Sequence, residues 1–181
     1  MQELQQLLAQ MLEQPDIEIA DIPNIDLYMD QVITIFENAL GTSKRVPEDK
    51  LLTKTMINNY TKDKILKPAV NKKYSSEHIL HMALIYHLKQ SLSIGDIKTL
   101  FQQTLHQEEV NLSEVYQEFL NLKRGQSALL EDHVEAIEQG IASGEEREQE
   151  KQLLTVLLLI HHANTYKRLA EKLIDQMKPE A

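Results

Sequence analysis

The feature that most constrains this chain is an amphipathic segment at residues 54–62. Thr53 precedes it with a hydroxyl that can accept a hydrogen bond from an unpaired amide of the first turn, so a helix is predicted to begin there. At about 100° per residue, Met56, Ile57 and Tyr60 fall within one narrow arc. We expect that arc to pack on a core while the rest of the helix faces solvent.

The opposite arc carries side chains suited to contact with nucleic acid. Asn can pair bidentately with adenine, and Lys can reach guanine or phosphate. Lys67-Pro68 favours an early end to the helix. The polar run before Tyr74 favours a turn or small wing, followed by a second capped helix at Ser75 or Ser76. The outward residues of the first helix are Lys54, Thr55, Asn58 and Lys62, with Asn59 at the margin of the arc.

Charge is unevenly distributed around this segment. The whole chain carries a net charge of −9, yet residues 44–73 hold nine basic and three acidic residues, a balance of +6 that leaves −15 on the remainder. If the basic segment docks on a duplex, the acidic remainder is repelled by it, and this confines binding to one orientation. The alternative interpretation is that these lysines are ordinary solvated surface residues.

The polar residues of the predicted unit are expected to contact DNA in two ways. Thr55, Asn58 and Asn59 are expected nearest the bases when the helix enters the major groove. A second set, contributed by the preceding loop, the helix end and the wing, is expected to hold phosphate. That set is Lys44, Arg45, Lys62, Lys72, Lys73 and Tyr74.

These features resemble those of two known families. The capped helix, the Lys-Ile-Leu-Lys-Pro turn and the Lys-Lys-Tyr-Ser segment resemble the winged helix-turn-helix of the MerR family, although Asn58 stands where MerR has Arg and Lys64 where it has Gly. The blocks Leu-Tyr-Met-Asp-Gln-Val at 27–32 and Leu-Thr-Lys-Thr-Met-Ile-Asn-Asn-Tyr at 52–60 resemble a bacterial family called domain of unknown function 1836, over roughly residues 22–105. The resemblance implies a MerR-like regulator fold.

The rest of the chain shows mainly helical periodicity. We expect a helix at residues 2–13, a linker at 16–23, and a scaffold helix from Asn24 or Asp26 to Leu40 that Gly41 closes. Further helices are predicted after caps at Ser93 and at Asn111 or Ser113. We divide the chain into a docking helix and linker (1–23), a winged unit (24–105) and a C-terminal helical region for dimerisation or effector binding (106–181).

The last predicted helix, over residues 145–177, has apolar side chains in every direction around its middle. A helix that is apolar all round must be enclosed, and the short helices of one chain leave part of it uncovered. We therefore expect a symmetric homodimer, with a cavity for a small-molecule effector as the alternative. The residues assigned to this dimer or ligand surface are Leu153, Leu157, Leu158, Ile160, His161 and Tyr166, with His162 at the rim of the cavity.

Several functional classes are disfavoured by what the sequence lacks. There is no cysteine, which excludes disulfides and thiolate chemistry, and no apolar run approaches the roughly 20 residues of a membrane span. No secretory signal, phosphate loop or nucleophile motif is present. His78 and His81 have a spacing compatible with two metal ligands, but without further ligands we expect them to be polar residues on a helix surface. We expect a cytoplasmic protein without enzymatic activity, metal or cofactor.

These observations together predict an all-α protein with a small β wing. The expected architecture is a MerR-like winged helix-turn-helix followed by a helical bundle. The expected function is sequence-specific binding of double-stranded DNA by a dimeric transcriptional regulator. The alternative is a protein-interaction adaptor whose winged unit no longer binds DNA and whose basic face meets an acidic partner.

Overall fold

The computed structural model describes residues 2–105, 110–142 and 147–178. These residues form helices and two short strands, β1 and β2, that pair as a small antiparallel sheet. The predicted class, all-α with a small β element, is confirmed at this level. In chain order the elements are α1 (Gln2–Leu12), β1 (Leu27–Tyr28), α2 (Met29–Leu40), α3 (Lys54–Lys62), β2 (Lys73–Tyr74), α4 (Ser76–Leu88), α5 (Ile94–Thr104), α6 (Leu112–Gly125), α7 (Ser127–Ala142) and α8 (Glu148–Gln176).

Four helices begin at polar residues predicted as caps, and Ser75, one of two alternatives, is the cap of α4. The Thr53 hydroxyl accepts a hydrogen bond from the Met56 amide at 3.1 Å and starts α3. Ser93 starts α5 in the same way, and Asn111, one of the two alternatives, starts α6. These caps satisfy amide groups that a helix leaves unpaired at its N-terminus, which is why short polar side chains mark such positions reliably.

The start of α2 differs from the prediction because a strand takes its place. Leu27 pairs with Tyr74 and Tyr28 with Lys73, so residues 27–28 are extended and α2 begins at Met29 instead of near residue 25. The predicted end of the helix is confirmed, because α2 ends at Leu40 and Gly41 is its C-cap. Gly41 has a φ of −58°, so it is not left-handed, and it opens a 3₁₀ turn, Gly41–Ser43.

The core is built around α4. Ile79, Met82 and Ile85 on this helix have no exposed surface, and the buried cluster extends from Ile17 to Leu120. The segment predicted as a linker contributes to it, because Ile17 is 1 % exposed and its carbonyl accepts a hydrogen bond from the Tyr116 hydroxyl at 2.9 Å. Helix α6 is therefore packed onto the same core as residues 24–105.

His81 lies in this core and not on a helix surface, so that prediction is wrong. The residue is 6 % exposed, its Nδ1 donates to the Glu77 carbonyl at 3.0 Å, and its ring meets the edge of Phe101. Burial lowers the pKa of His81, because a charged imidazole loses its hydration there. The residue is thus a neutral part of the interior.

The C-terminal helices extend from this core. Helix α7 packs against α1 and α8, and the last part of α8 packs on α5. In the middle of α8, Leu153, Leu157 and Ile160 are each more than half exposed. The helices of one chain were expected to leave part of α8 uncovered, and α7 covers only one side of it. No helix in the described ranges is long and apolar enough to span a membrane.

The burial of His81 predicts a pH-dependent stability. Its pKa in the folded state lies below the unfolded value of about 6.5, so the unfolded chain takes up the extra proton as the pH falls through that value. The free energy of unfolding, measured by denaturant titration, should therefore fall between pH 7.5 and pH 5.5. His81→Gln should show a smaller fall. If His81→Gln and the exposed-site control His161→Gln both keep the parent's full fall, His81 is not the group responsible.

Candidate nucleic-acid interface

Helix α3 is fixed at both ends. Its first turn is capped by Thr53, and its last turn leads into Lys64, whose φ of 62° is left-handed. The amides of Ile65 and Leu66 then both donate to the Tyr60 carbonyl, at 3.0 and 3.2 Å. The chain therefore reverses tightly after the helix, at the position where the resemblance puts Gly.

The inner face of α3 is the one the periodicity predicted. Ile57 is 0 % and Tyr60 5 % exposed, and both belong to the main core cluster. Burial raises the pKa of the Tyr60 hydroxyl. Beside them, the Lys89 ammonium donates to the Leu51 carbonyl at 3.0 Å and lies 3.8 Å from the Met56 sulfur. The contact ties the loop before α3 to the end of α4 and so limits rotation of the helix.

The outer face of α3 is open to solvent. Its polar residues Thr55, Asn58 and Asn59 are all exposed, as are the two lysines at the ends of the helix. Lys54 makes an ion pair with Asp30 of α2 at 2.7 Å, so part of its charge is compensated. No acidic partner of Lys62 is found among the described residues. The arc thus offers hydroxyl, amide and ammonium groups on one accessible surface.

A two-residue hairpin stands beside this helix in the chain. Val70 and Lys73 exchange backbone hydrogen bonds of 3.0 and 2.9 Å, and the residues between them, Asn71 and Lys72, have φ values of 52° and 64°. Two consecutive left-handed residues are typical of a type I′ turn. The turn places Lys72 at an exposed tip. A turn before Tyr74 was predicted from the sequence, and the hairpin lies at that position.

Tyr74 was expected to face phosphate, and that prediction is wrong. The side chain is 4 % exposed and meets the edge of the His78 ring, and burial raises its pKa. The reason is the strand register, because Tyr74 pairs with buried Leu27 on the inner face of the sheet. Neighbouring strand residues alternate between faces, so it is Lys73 that points outward.

Tyr28 is an exposed residue that the sequence analysis missed. It pairs with Lys73 across the sheet, and the Lys73 ammonium lies 5.2 Å from the centre of its ring. Val70, bridged to Lys73 from the other side, is also exposed, so an aromatic, a cation and an aliphatic side chain form one row. The Leu-Tyr alternation was a signal for a strand, but the helical periodicity that follows it obscured the signal.

The two phosphate contacts predicted in the loop before α3, Lys44 and Arg45, lie in different surroundings. Lys44 is mostly buried and makes an ion pair with Glu37 at 2.5 Å, which occupies its ammonium. Arg45 is exposed, and its amide donates to the Asp49 carboxylate at 3.2 Å. Asp49 also accepts from the Val46 amide, so the loop has a defined shape that presents Arg45. Of the two residues, Arg45 is therefore better placed for contact with an external anion.

The residues assigned to the dimer or ligand surface fall into separate groups. Leu153, Leu157 and Ile160 form an exposed apolar stripe on α8, and His161 and Tyr166 are also exposed. Leu158 instead lines a groove of about 410 Å³ between α7 and α8, which His133 and His162 close at one end. The two facing imidazole nitrogens are 2.8 Å apart, and the pKa of His162 is lowered by burial and by His133 and His161.

Metal binding receives no support from the described part of the chain. Across residues 2–105, 110–142 and 147–178, no three His, Asp or Glu side chains converge on a point where they would hold an ion. His78 has another role, because its Nδ1 lies 2.8 Å from the Ser75 hydroxyl and 3.1 Å from the Ser75 amide at the start of α4. The groups of this surface are thus suited to hydrogen bonding and ion pairing.

Comparison with known proteins gives a match at the level of the family. Neither the curated proteins nor the solved structures contain a match to the chain. The profile of one protein family matches residues 17–119, which is more than half of the chain. The matched segment includes the linker, the sheet, α3 and the hairpin, and it ends within α6. The chain therefore belongs to the family described as domain of unknown function (DUF1836).

Proposed function

We propose that this protein is a transcriptional regulator that binds double-stranded DNA sequence-specifically through α3 and the hairpin at residues 70–73. The observation that carries the proposal is the orientation of α3. Its Ile57 and Tyr60 side is packed in the core, whereas its Asn58 and Asn59 side is exposed. An exposed asparagine amide on a helix can pair bidentately with adenine when that helix lies in the major groove.

The arrangement of elements around α3 supports a MerR-like winged helix-turn-helix. A strand, two helices, a hairpin and a further helix follow one another, and β1 pairs with the hairpin strand β2. In the proposed complex α3 lies in the major groove, and Arg45, Lys62, Lys72 and Lys73 contact the phosphates on either side. The acidic remainder of the chain favours the single orientation in which this surface faces the duplex.

The regulator acts as a homodimer in this proposal, because helix-turn-helix proteins commonly bind two half-sites about one turn of duplex apart. An effector site is the other use of the C-terminal region. The groove between α7 and α8 has a volume of about 410 Å³, within the usual range of small-molecule sites. It lies on the side of α8 that faces α7, so an effector there would not compete for the exposed stripe.

A pull-down with fragmented genomic DNA tests the proposed activity. The protein is incubated with the fragments at two salt concentrations, and the retained DNA is sequenced. A regulator enriches particular fragments at both concentrations, and total retention falls as salt rises, because phosphate contacts release counterions. Retention without enrichment, or no retention, contradicts the proposal. Retention of an acidic protein in place of DNA would support the adaptor alternative.

Charge reversal of the hairpin should weaken binding to every sequence. We expect Lys72→Glu with Lys73→Glu to reduce affinity for enriched and unrelated duplexes alike. The slope of log affinity against log salt should become shallower by about one for each phosphate that the protein no longer neutralises. Fluorescence anisotropy over a salt series measures both. Lys172→Glu with Lys178→Glu is the control, because it changes net charge equally at exposed positions of the C-terminal segment. Equal effects of the two pairs would contradict a role for the hairpin.

Truncation of Asn58 should instead relax sequence preference. Asn58→Ala should lose about 1 to 3 kcal/mol of discrimination at one base pair and keep its salt dependence. Competition binding against single-base variants of an enriched duplex measures this loss. Asn38→Ala is the control, because Asn38 is an exposed asparagine on the neighbouring helix α2. If Asn58→Ala discriminates as the parent does, α3 does not read bases through Asn58.

A further inference from the structure

Helix α8 is long, apolar in its middle and open to solvent on one side. Only Ile174 of its 29 described residues is buried, and Leu153, Leu157 and Ile160 are exposed by 60, 55 and 55 %. Contiguous exposed apolar surface of this kind is uncommon on monomers and marks interaction sites. No segment in the described part of the chain covers the stripe, so a partner that covers it must come from elsewhere.

The position of α7 defines which side of α8 is free. His133 near the start of α7 faces His162 of α8, and α7 ends at Ala142 only a few residues before α8 begins, so the two helices are antiparallel. The groove lies on the side of α8 that carries Leu158 and His162. At 100° per residue, Leu157 lies about 100° to 140° around the helix from these two residues. The exposed stripe is therefore separate from the groove and points away from α7.

The stripe has the spacing of a coiled-coil seam. Leu153, Leu157, Ile160 and Asn164 follow one another at intervals of four, three and four residues. The same alternation extends to Glu150 before the stripe and to Lys167 after it. All six positions lie on one side of the helix and all are exposed. An acidic residue thus stands at one end of the seam and a basic residue at the other.

We infer that a second copy of this chain packs on the stripe through its own α8, in antiparallel orientation. In this alignment Leu157 faces Ile160 of the partner subunit, Leu153 faces the partner's Asn164, and Glu150 faces the partner's Lys167. A two-fold axis repeats each pair, so the seam is self-complementary. A parallel alignment would place Glu150 against Glu150 and Lys167 against Lys167, and like charges at such positions are destabilising.

The dimensions favour a second copy over a small molecule. From Glu150 to Lys167 the seam is about 25 Å long at 1.5 Å per residue, far longer than one small ligand. Val156 flanks the stripe and adds exposed apolar surface to it. The Glu150 carboxylate accepts a hydrogen bond from the Arg147 amide at 2.9 Å, which holds it at the start of the helix. The Lys167 ammonium lies 3.7 Å from the Glu171 carboxylate of the same helix, so in the dimer it is shared between Glu171 and the partner's Glu150.

The antiparallel dimer adds detail to the proposed function. The use of the dimer to bind two DNA half-sites rests on that function, whereas the dimer itself does not. The dimer itself is measured without DNA. A monomeric protein that still enriches DNA fragments would overturn the inference alone. A dimer that binds no DNA would overturn the proposed function alone.

Disulfide trapping tests the orientation directly, because the chain has no cysteine of its own. Glu150→Cys and Lys167→Cys are prepared as separate single variants, both at exposed positions, and mixed under mild oxidation. We expect a covalent dimer, seen on non-reducing gels, from the mixture and none from either variant alone. Trapping of each single variant with itself would show a parallel pair and overturn the inference. Gln152→Cys mixed with Thr165→Cys, on other faces of α8, should give no product.

Disruption of the stripe tests the interface independently. The parent should sediment at twice 20.9 kDa. Leu157→Glu should raise the dimer dissociation constant on the order of 100-fold or more, because each copy would bury a carboxylate against apolar groups. Leu169→Glu, at an exposed leucine off the seam, should leave it unchanged. Helix content by circular dichroism should be the same for all three. A parent that remains monomeric, or a Leu157→Glu variant that dimerises as the parent does, overturns the inference.

Discussion

The burial of Ile57 and Tyr60 is the interaction on which the candidate interface depends. A helix of nine residues is too short to be stable alone in water, so its packing, and not its propensity, determines whether it forms and which way it faces. With these two side chains in the core, Asn58 and Asn59 can only point outward. The tight turn at Lys64, the buried Ile65 and Leu66, and the Lys89 contact with the Leu51 carbonyl hold that orientation.

Local patterns predicted the local features of the fold well. The bounds of α3, the caps at Thr53 and Ser93 and the turn before Tyr74 were predictable because each depends on residues within one or two turns of chain. The misplaced features depend on distant partners. Tyr74 and the start of α2 are determined by a strand pairing between residues far apart in the chain, Leu27 with Tyr74. His81 is buried because α5 packs across it, which its own helix does not reveal.

The segment matched by the family profile and the buried core have nearly the same bounds. The family match at residues 17–119 nearly coincides with the buried cluster from Ile17 to Leu120, so α6 belongs with the core that supports α3. Helices α7 and α8 lie beyond the match and carry the exposed stripe. The apolar middle of α8 predicted a partner for this helix, and that partner stays a prediction. How much of α8 one chain covers could not be predicted from the sequence, because it depends on how α7 packs against it.

The most direct test of the central claim is to observe the side-chain amides of Asn58 and Asn59 by nuclear magnetic resonance. These amide groups are titrated first with a duplex enriched from genomic fragments and then with an unrelated duplex of equal length. The account predicts large shifts for both residues with the enriched duplex, small shifts with the unrelated one, and none for exposed Asn38. Shifts confined to other parts of the protein, with Asn58 and Asn59 unchanged, would contradict it.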